Sequence, residues 1–162
     1  MFARPLAGIF LPALIAVAFS ACDVDRLSKL RPGSSTTDDV RQIMGNPSLE
    51  WRDADGTRIW EYPRTPEGMV NYMLVIGPDH VLREVRQVLT EENFNRVRPG
   101  MTRDQVRYLL GQPAHQSRFP LKQETVWDWK TKVEPGMEWY FNVHFNDDGV
   151  VTGTSTNFVP KG

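Results

Sequence analysis

The chain repeats itself over a distance of about one small domain, and this duplication limits the fold more than any other feature. Leu30-Arg31-Pro32-Gly33 returns as Val97-Arg98-Pro99-Gly100, and the offset varies between 66 and 69 positions along the unit. Such a matched series of helix, turn and strand signals indicates a tandem duplication of a unit of about 60–70 residues. The other matched positions are Val40, Ile43, Met44, Gly45 and Pro47 with Val106, Leu109, Leu110, Gly111 and Pro113; Trp60-Glu61-Tyr62 with Trp127-Asp128-Trp129; and Ile76, Val81 and Leu82 with Phe145, Val150 and Val151.

Each unit predicts a short helix with its own start and stop signals. In the second unit Thr102 and Gln105 have the spacing of a capping box, and three apolar residues then share one helical face. Gly111 follows at the position of a helix C-cap. Thr36 and Asp39 form a poorer version of the cap in the first unit, so we expect its helix to be the less stable one.

After each helix the apolar pattern changes to a period of two, which is typical of strands. In the second unit Trp127 and Trp129 share one face, Trp139 begins a second alternating run, and residues 146–149 form a turn signal. We expect all three tryptophans in the core. Each unit is therefore predicted to be one or two short helices on a three-stranded antiparallel meander, an α+β fold in two tandem repeats.

A short apolar run precedes the only cysteine of the sequence. Arg4 is its single charge, residues 6–18 are uncharged and small residues follow, which is the layout of a secretory signal peptide. About 13 apolar residues rise only about 20 Å as a helix, less than a bilayer core of about 30 Å. Phe19-Ser20-Ala21-Cys22 resembles the lipobox of bacterial lipoproteins, which implies cleavage before Cys22 and fatty acylation, such as palmitate, on that residue. An ordinary signal that leaves a free thiol is the alternative.

Composition indicates a globular product. Cleavage before Cys22 would leave 18 basic and 20 acidic side chains, and five tryptophans are enough for a core in one ordinary domain or two small ones. Twelve glycines and twelve prolines argue against a long helical bundle.

The second unit carries the motifs Gly100-Met101-Thr102, Leu110-Gly111-Gln112-Pro113 and the strand-turn-strand sequence 141–152. Together with residues 89–99, they closely resemble the SmpA/OmlA domain of the BamE family of outer-membrane assembly lipoproteins. The resemblance covers about residues 85–157, with a degenerate copy in the first unit. It predicts a signal peptide over 1–21, a first repeat over 22–84, a second repeat over 85–157 and a tail over 158–162.

The resemblance implies a non-enzymatic scaffold, lipid-anchored in the bacterial envelope and facing the periplasm, that supports assembly of outer-membrane β-barrel proteins. Its partners would be components of the β-barrel assembly machinery, and it would need no cofactor besides the lipid on Cys22. Asp23 resembles an inner-membrane retention signal, so both membranes stay open. The tandem also resembles, more distantly, the repeat of the β-lactamase inhibitory protein, which implies an inhibitor or modulator that binds a periplasmic enzyme through its sheet surface.

The residues that usually carry catalysis or metal binding lack the necessary spacing. His80, His115 and His144 do not form a ligand pattern, and a single cysteine cannot build a thiolate metal site. Asp147 and Asp148 lie in a turn signal, which favours chain reversal over acid–base chemistry. Export and a mildly acidic total charge argue against nucleic acid as a partner.

Basic residues concentrate between positions 96 and 122, where six of them meet one acid, Asp104. The pattern indicates either a solvated helix face or a patch for anionic lipid headgroups or an acidic partner. Trp51 lies outside any clear alternation, and two aromatic residues flank the family turn motif. The candidate partner-binding or lipid-binding residues are Trp51, Phe94, Arg96, Arg98, Arg103, Arg107 and Tyr108.

Overall fold

The computed structural model describes residues 18–161, with side chains from residue 23 onward, so most of the predicted signal peptide and the Cys22 side chain lie outside the described residues. No helix within 18–161 is long and apolar enough to cross a membrane. The elements in chain order are α1 (Ala18–Ser28), α2 (Thr37–Met44), β1 (Leu49–Arg52), β2 (Arg58–Pro63), β3 (Asn71–Ile76), β4 (Leu82–Gln87), α3 (Glu91–Phe94), α4 (Arg103–Leu110), β5 (His115–Phe119), a 3-10 turn (Pro120–Lys122), β6 (Glu124–Glu134), β7 (Met137–Phe145) and β8 (Val151–Pro160).

The described chain forms two four-stranded antiparallel sheets, sheet 1 with the order β1-β2-β3-β4 and sheet 2 with the order β5-β6-β7-β8. Short helices precede each sheet, which confirms the predicted α+β fold with two repeats. The prediction of three strands per repeat misses one strand in each, β1 in the first repeat and β5 in the second. Strand β1 has only four residues, and β5 is exposed along its whole length. Neither edge strand therefore gives a strong apolar signal.

The two repeats share their local hydrogen bonds as well as their element order. Gly33 N donates to Leu82 O at 2.8 Å, and Gly100 N donates to Val151 O at 2.9 Å. Each bond ties the turn before the helix to the last strand of the same repeat. Both glycines have positive φ, so the equivalent turns also share their backbone conformation.

Helices α2 and α4 both begin with a complete capping box. In α2, the Thr36 backbone N–H donates to the Asp39 carboxylate at 2.8 Å, and Asp39 N donates to the Thr36 hydroxyl at 3.3 Å. The Thr36 N–H and then the Thr36 hydroxyl donate to the Asp39 carboxylate, and these two bonds hold the pKa of Asp39 below its usual value. The expectation of a poorer cap in the first repeat is therefore wrong, because aspartate at this position accepts the same backbone bond as glutamine.

The elements stack in four layers. Helix α2 packs on one face of sheet 1, and helix α4 lies between the opposite face of sheet 1 and the inner face of sheet 2. Val106 and Leu110 of α4 belong to the core of sheet 2. That core also contains Leu89, Val97, Trp127, Trp129, Phe141, Val143, Phe145 and Val151.

Trp139 and the two repeat boundaries differ from the expectations drawn from the sequence. Trp127 and Trp129 are buried as predicted, whereas Trp139 is only half-buried and packs against Phe158 with ring centroids 5.2 Å apart. Trp139 lies outside the core because β6–β8 continue past the helices. Sheet 1 extends to Gln87 and β8 to Pro160, so the predicted divisions after residues 84 and 157 fall inside strands.

Candidate functional site

The two repeats are joined by a charged contact that is buried on one side. Glu61 of β2 is fully buried, and its carboxylate accepts from Arg107 Nε of α4 at 3.2 Å. The same carboxylate accepts from Gln112 N at 2.8 Å. A buried carboxylate needs such partners, so this pair fixes α4 against sheet 1.

The C-terminal end of α4 is held by an amide donor from sheet 1 and a hydroxyl donor from the loop between β2 and β3. Asn71 is fully buried, and its Nδ2 donates to Leu110 O and Gln112 O, both at 2.9 Å. The Thr65 hydroxyl donates to Gln112 O at 3.1 Å. Gly111 lies between these acceptors with φ of 73° and ψ of −167°. This positive-φ conformation lies outside the αL region expected for the predicted C-cap, and glycine adopts it most readily.

Beside this contact, a cleft of about 400 Å³ opens between sheet 1 and the helices of the second repeat. Its walls combine apolar side chains with charged groups of both signs. The apolar part comes from both repeats, and the charged groups lie on β4, on α3 and just after α3. The principal lining residues are Ile59, Met73, Leu109, Glu84, Arg86, Glu92 and Arg96.

Two of the predicted aromatic residues meet at this cleft. Tyr108 lines it, and its ring meets the Trp51 ring edge-on with centroids 5.7 Å apart. The Tyr108 hydroxyl donates to Asp53 Oδ2 at 3.0 Å. Burial first, and then this bond, raise the pKa of Tyr108 above its usual value. Within residues 18–161, Trp51 Nε1 is buried without a hydrogen-bond partner.

The charges at the cleft suit recognition rather than proton transfer. Arg86 donates to Glu84 at 2.8 Å, which holds the pKa of the Glu84 carboxyl below its usual value. Glu84 is therefore ionised at neutral pH and is not poised to donate a proton. Among the described residues, no group of three His, Cys, Asp or Glu side chains is placed to hold a metal ion. A cleft whose lining combines apolar side chains with polar groups and charges of both signs fits a protein segment.

The structure divides the other predicted site residues among different roles. Phe94 packs on Phe141 with centroids 4.6 Å apart and belongs to the second core. Arg103 lies over the Phe145 ring at 5.7 Å, and Arg107 binds Glu61. These contacts give the three residues structural roles, whatever else they bind.

The basic run does not form one surface patch. Arg118 lies near the C-terminal end of β5 and pairs with Asp147. Arg107 lies on α4, before the N-terminal end of β5. Arg96 and Arg98 are exposed and form no ion pair within residues 18–161, and only Arg96 lines the cleft. Contact with anionic lipid headgroups stays a prediction for these residues.

Sequence reasoning missed the part of the cleft that sheet 1 provides. Ile59, Met73 and Val75 are buried, although Trp60 and Leu74 between them face the other core. A strand with apolar residues on both faces is covered on both sides. That signal in β2 and β3 could have predicted that the second repeat packs on the first.

Comparison with known proteins agrees with the second repeat. Residues 87–155 match the family described as outer membrane protein assembly factor BamE domain, which is less than half of the chain. The match runs from the end of β4 into β8 and includes α3 and α4. The predicted resemblance to this family is thus confirmed for that segment.

Solved structures give weaker likenesses. A DUF4309 family protein from Bacillus subtilis shares 16% identity at a TM-score of 0.31, covering 82% of this chain and 83% of that one. A putative β-lactamase inhibitor protein from Streptococcus mutans shares 13% identity at a TM-score of 0.33, covering 86% and 97%. The description of the second structure names the same kind of protein as the more distant resemblance stated from the sequence. At these identities and TM-scores, neither likeness carries a conclusion about function. What the comparisons identify is the second repeat: residues 87–155 match the BamE domain of outer-membrane assembly factors.

Proposed function

We propose that this protein is a lipid-anchored, non-enzymatic envelope protein that acts as a scaffold in the assembly of outer-membrane β-barrel proteins. The match of residues 87–155 to an outer membrane assembly factor domain carries the proposal. The lipobox-like sequence that ends at Cys22 supports a lipid anchor on the periplasmic side of a membrane. More than one acyl chain is needed for stable anchoring, and a lipoprotein cysteine supplies that.

We assign the partner contact to the cleft between the repeats. In its apolar lining, Leu109 is partly exposed and can contact an apolar side chain of a partner segment, whereas Ile59 and Met73 form the buried floor. Arg96 is exposed at the rim, where it can pair with an acidic residue of the partner. Components of the β-barrel assembly machinery are the partners that the family match favours.

The test is crosslinking in living cells, followed by affinity purification and mass spectrometry. The wild-type protein is compared with Cys22→Ser, which cannot be acylated. We expect β-barrel assembly components to be recovered with the wild type and lost, or strongly reduced, with Cys22→Ser. Recovery of a soluble periplasmic enzyme from both forms would contradict the proposal and would indicate an inhibitor or modulator.

A matched pair of charge reversals tests the cleft itself. Arg96→Glu changes the rim, whereas Arg98→Glu changes an exposed arginine two positions away that does not line the cleft. We expect Arg96→Glu to reduce recovery of the partner by about tenfold, the effect of one lost charge contact. Arg98→Glu should leave recovery within about twofold of wild type. Equal losses in both variants would place the contact outside the cleft.

A further inference from the structure

Strand β8 differs from the other three edge strands of the described chain. Strands β1, β4 and β5 have 4–6 residues, and each contains an arginine. Strand β8 has 10 residues, Val151–Pro160, and carries no charged side chain. Charge and shortness are the usual protections of a sheet edge against pairing with another chain. Strand β8 has neither.

The hydrogen bonds of its neighbours show which backbone groups of β8 point away from the sheet. Lys161 N donates to Gly136 O at 2.9 Å, so residue 161 belongs to a hydrogen-bonded pair across β7 and β8. Such pairs alternate along an antiparallel ladder. Thr154, Thr156 and Phe158 therefore direct their N–H and C=O groups outward. Pro160 also falls in this outward set, where its missing N–H costs no ladder bond.

The features of β8 that block pairing with another strand lie at its two ends. At the start, Val151 N donates to Met101 O at 2.8 Å, and Val151 O accepts from Gly100 N. A register shift then separates Val151 from Gly153. At the other end Pro160 and Lys161 interrupt the edge. The segment between them is exposed from residue 154 to residue 160.

The two faces beside β8 define what an added strand would carry. Thr156 and Phe158 lie opposite Phe141 and Trp139, and Phe158 is 52% exposed. On the other face, Ser155 and Asn157 accept hydrogen bonds from Asn142 Nδ2 at 3.1 and 2.9 Å. A strand added beside them would place alternate side chains on the face of Phe158 and on the face of Ser155 and Asn157, which also carries Val159, 46% exposed.

We propose that β8 is a docking edge that binds an extended segment of another protein with alternating apolar and polar side chains, by addition of a strand to sheet 2. The backbone groups of Thr154, Thr156 and Phe158 provide the hydrogen bonds, and the exposed Phe158 ring provides the apolar contact. This binding mode goes beyond the proposed scaffold function and does not depend on it.

The test measures binding of a labelled peptide to the full-length protein in detergent by fluorescence anisotropy. The peptide has ten residues of alternating valine and threonine, with two lysines at each end for solubility. Thr156→Pro removes one outward N–H and leaves the ladder to β7 intact, whereas Thr156→Val keeps that N–H. We expect the Kd to rise about tenfold or more with Thr156→Pro and to change less than about threefold with Thr156→Val, since the proline removes one hydrogen-bond donor and also blocks close approach.

Melting temperatures of both variants show whether Thr156→Pro still folds. If Thr156→Pro does not fold, hydrogen exchange on the wild type replaces that variant as the test. The amides of residues 154, 156 and 158 should then exchange at least about fivefold more slowly with peptide bound. Three results would overturn the proposal: no peptide binding to the wild type, equal binding by Thr156→Pro, or a dimer through β8 in sedimentation that excludes the peptide.

Discussion

Sheets 1 and 2 present equivalent faces with different chemistry. On sheet 1 this face carries Ile59, Met73 and Val75, all buried under the second repeat. The duplication places Asn142 and His144 of sheet 2 at the positions of Met73 and Val75. One face is therefore an interface, and its counterpart is a polar surface.

The polar side chains of the second face are satisfied by their own sheet. His144 bonds to Glu124 and Ser155 at 2.9 and 2.8 Å, and Lys130 binds Glu138 at 3.0 Å. Repeats at the end of a stack need a polar outer face for solubility. The difference teaches that the helix layer of the second repeat covers the free face of sheet 1, and that sheet 2 is the outer layer of the described residues.

The first pair of variants replaces the acidic residue at the centre of each face, and we expect the largest loss of stability at Glu61. Glu61→Ala leaves Arg107 without its partner and Gln112 N without its acceptor, so we expect a loss of about 3–5 kcal/mol in the free energy of unfolding. Asp128 occupies the equivalent position, and burial raises the pKa of its carboxyl. We expect Asp128→Ala to cost less than about 1 kcal/mol. Urea unfolding of both variants checks this, and equal losses would remove the distinction between the faces.

A second pair removes a side chain at one matched position of β3 and β7. Met73 is 2% exposed, and Met73→Ala should cost about 2–4 kcal/mol because it leaves a cavity under α4. Asn142→Ala removes two hydrogen bonds within sheet 2 and should cost about 1 kcal/mol. Thermal unfolding gives the comparison, which fails if Asn142→Ala is the more damaging variant.

The features of the fold that could be predicted from the sequence are those whose signals are local along the chain. The helix caps and the apolar face of each strand are set by residues within a few positions of one another, and the duplication is found by comparing these local signals along the chain. The contact of Arg107 with Glu61 joins residues 46 positions apart, and neither has a local pattern that names the other. The cleft residues on sheet 1 were missed for the same reason.

Trp51 and Tyr108 show how far sequence reasoning reaches toward the site. Trp51 was predicted as a contact residue because it lies outside any clear alternation, and Tyr108 because it flanks the family turn motif. The structure brings their rings together, and contact with a partner stays a prediction. Phe94 was chosen for the same reason as Tyr108, yet it packs on Phe141 because α3 lies against the second core. Exposure of an aromatic residue depends on tertiary packing, which a local pattern does not contain.

A third pair compares the glycines that end α2 and α4. Both have positive φ, 85° at Gly45 and 73° at Gly111. A Cβ at Gly111 would lie 2.8 Å from Asn71 Nδ2, whereas a Cβ at Gly45 meets nothing within 4 Å among the described residues. We expect about 1 kcal/mol of destabilisation for Gly45→Ala, from backbone strain alone, and about 2 kcal/mol for Gly111→Ala. Chemical unfolding curves measure both, and identical values would argue against close packing at Asn71.

The smallest predicted effect is a pH dependence of the polar face. Tyr140 and then Lys130 donate to Glu138 and lower its pKa to about 2. Because the pKa of the folded state lies below the ordinary value of 4.5, this group stabilises the fold above pH 4.5. Its contribution is lost as the pH falls toward 2. Unfolding measured between pH 2 and 5 should show a shallower slope for Glu138→Gln than for wild type, and parallel curves would exclude this role.

The layer order depends most on the packing of α4 against sheet 1, and a double-mutant cycle between Glu61 and Arg107 tests that packing most directly. The free energy of unfolding is measured for wild type, Glu61→Ala, Arg107→Ala and the double variant. Because the side chains are in contact, we predict a coupling energy of at least about 1 kcal/mol, with the double variant less damaged than the sum of the single ones. Additive losses, within about 0.3 kcal/mol, would contradict the contact and the layer order built on it.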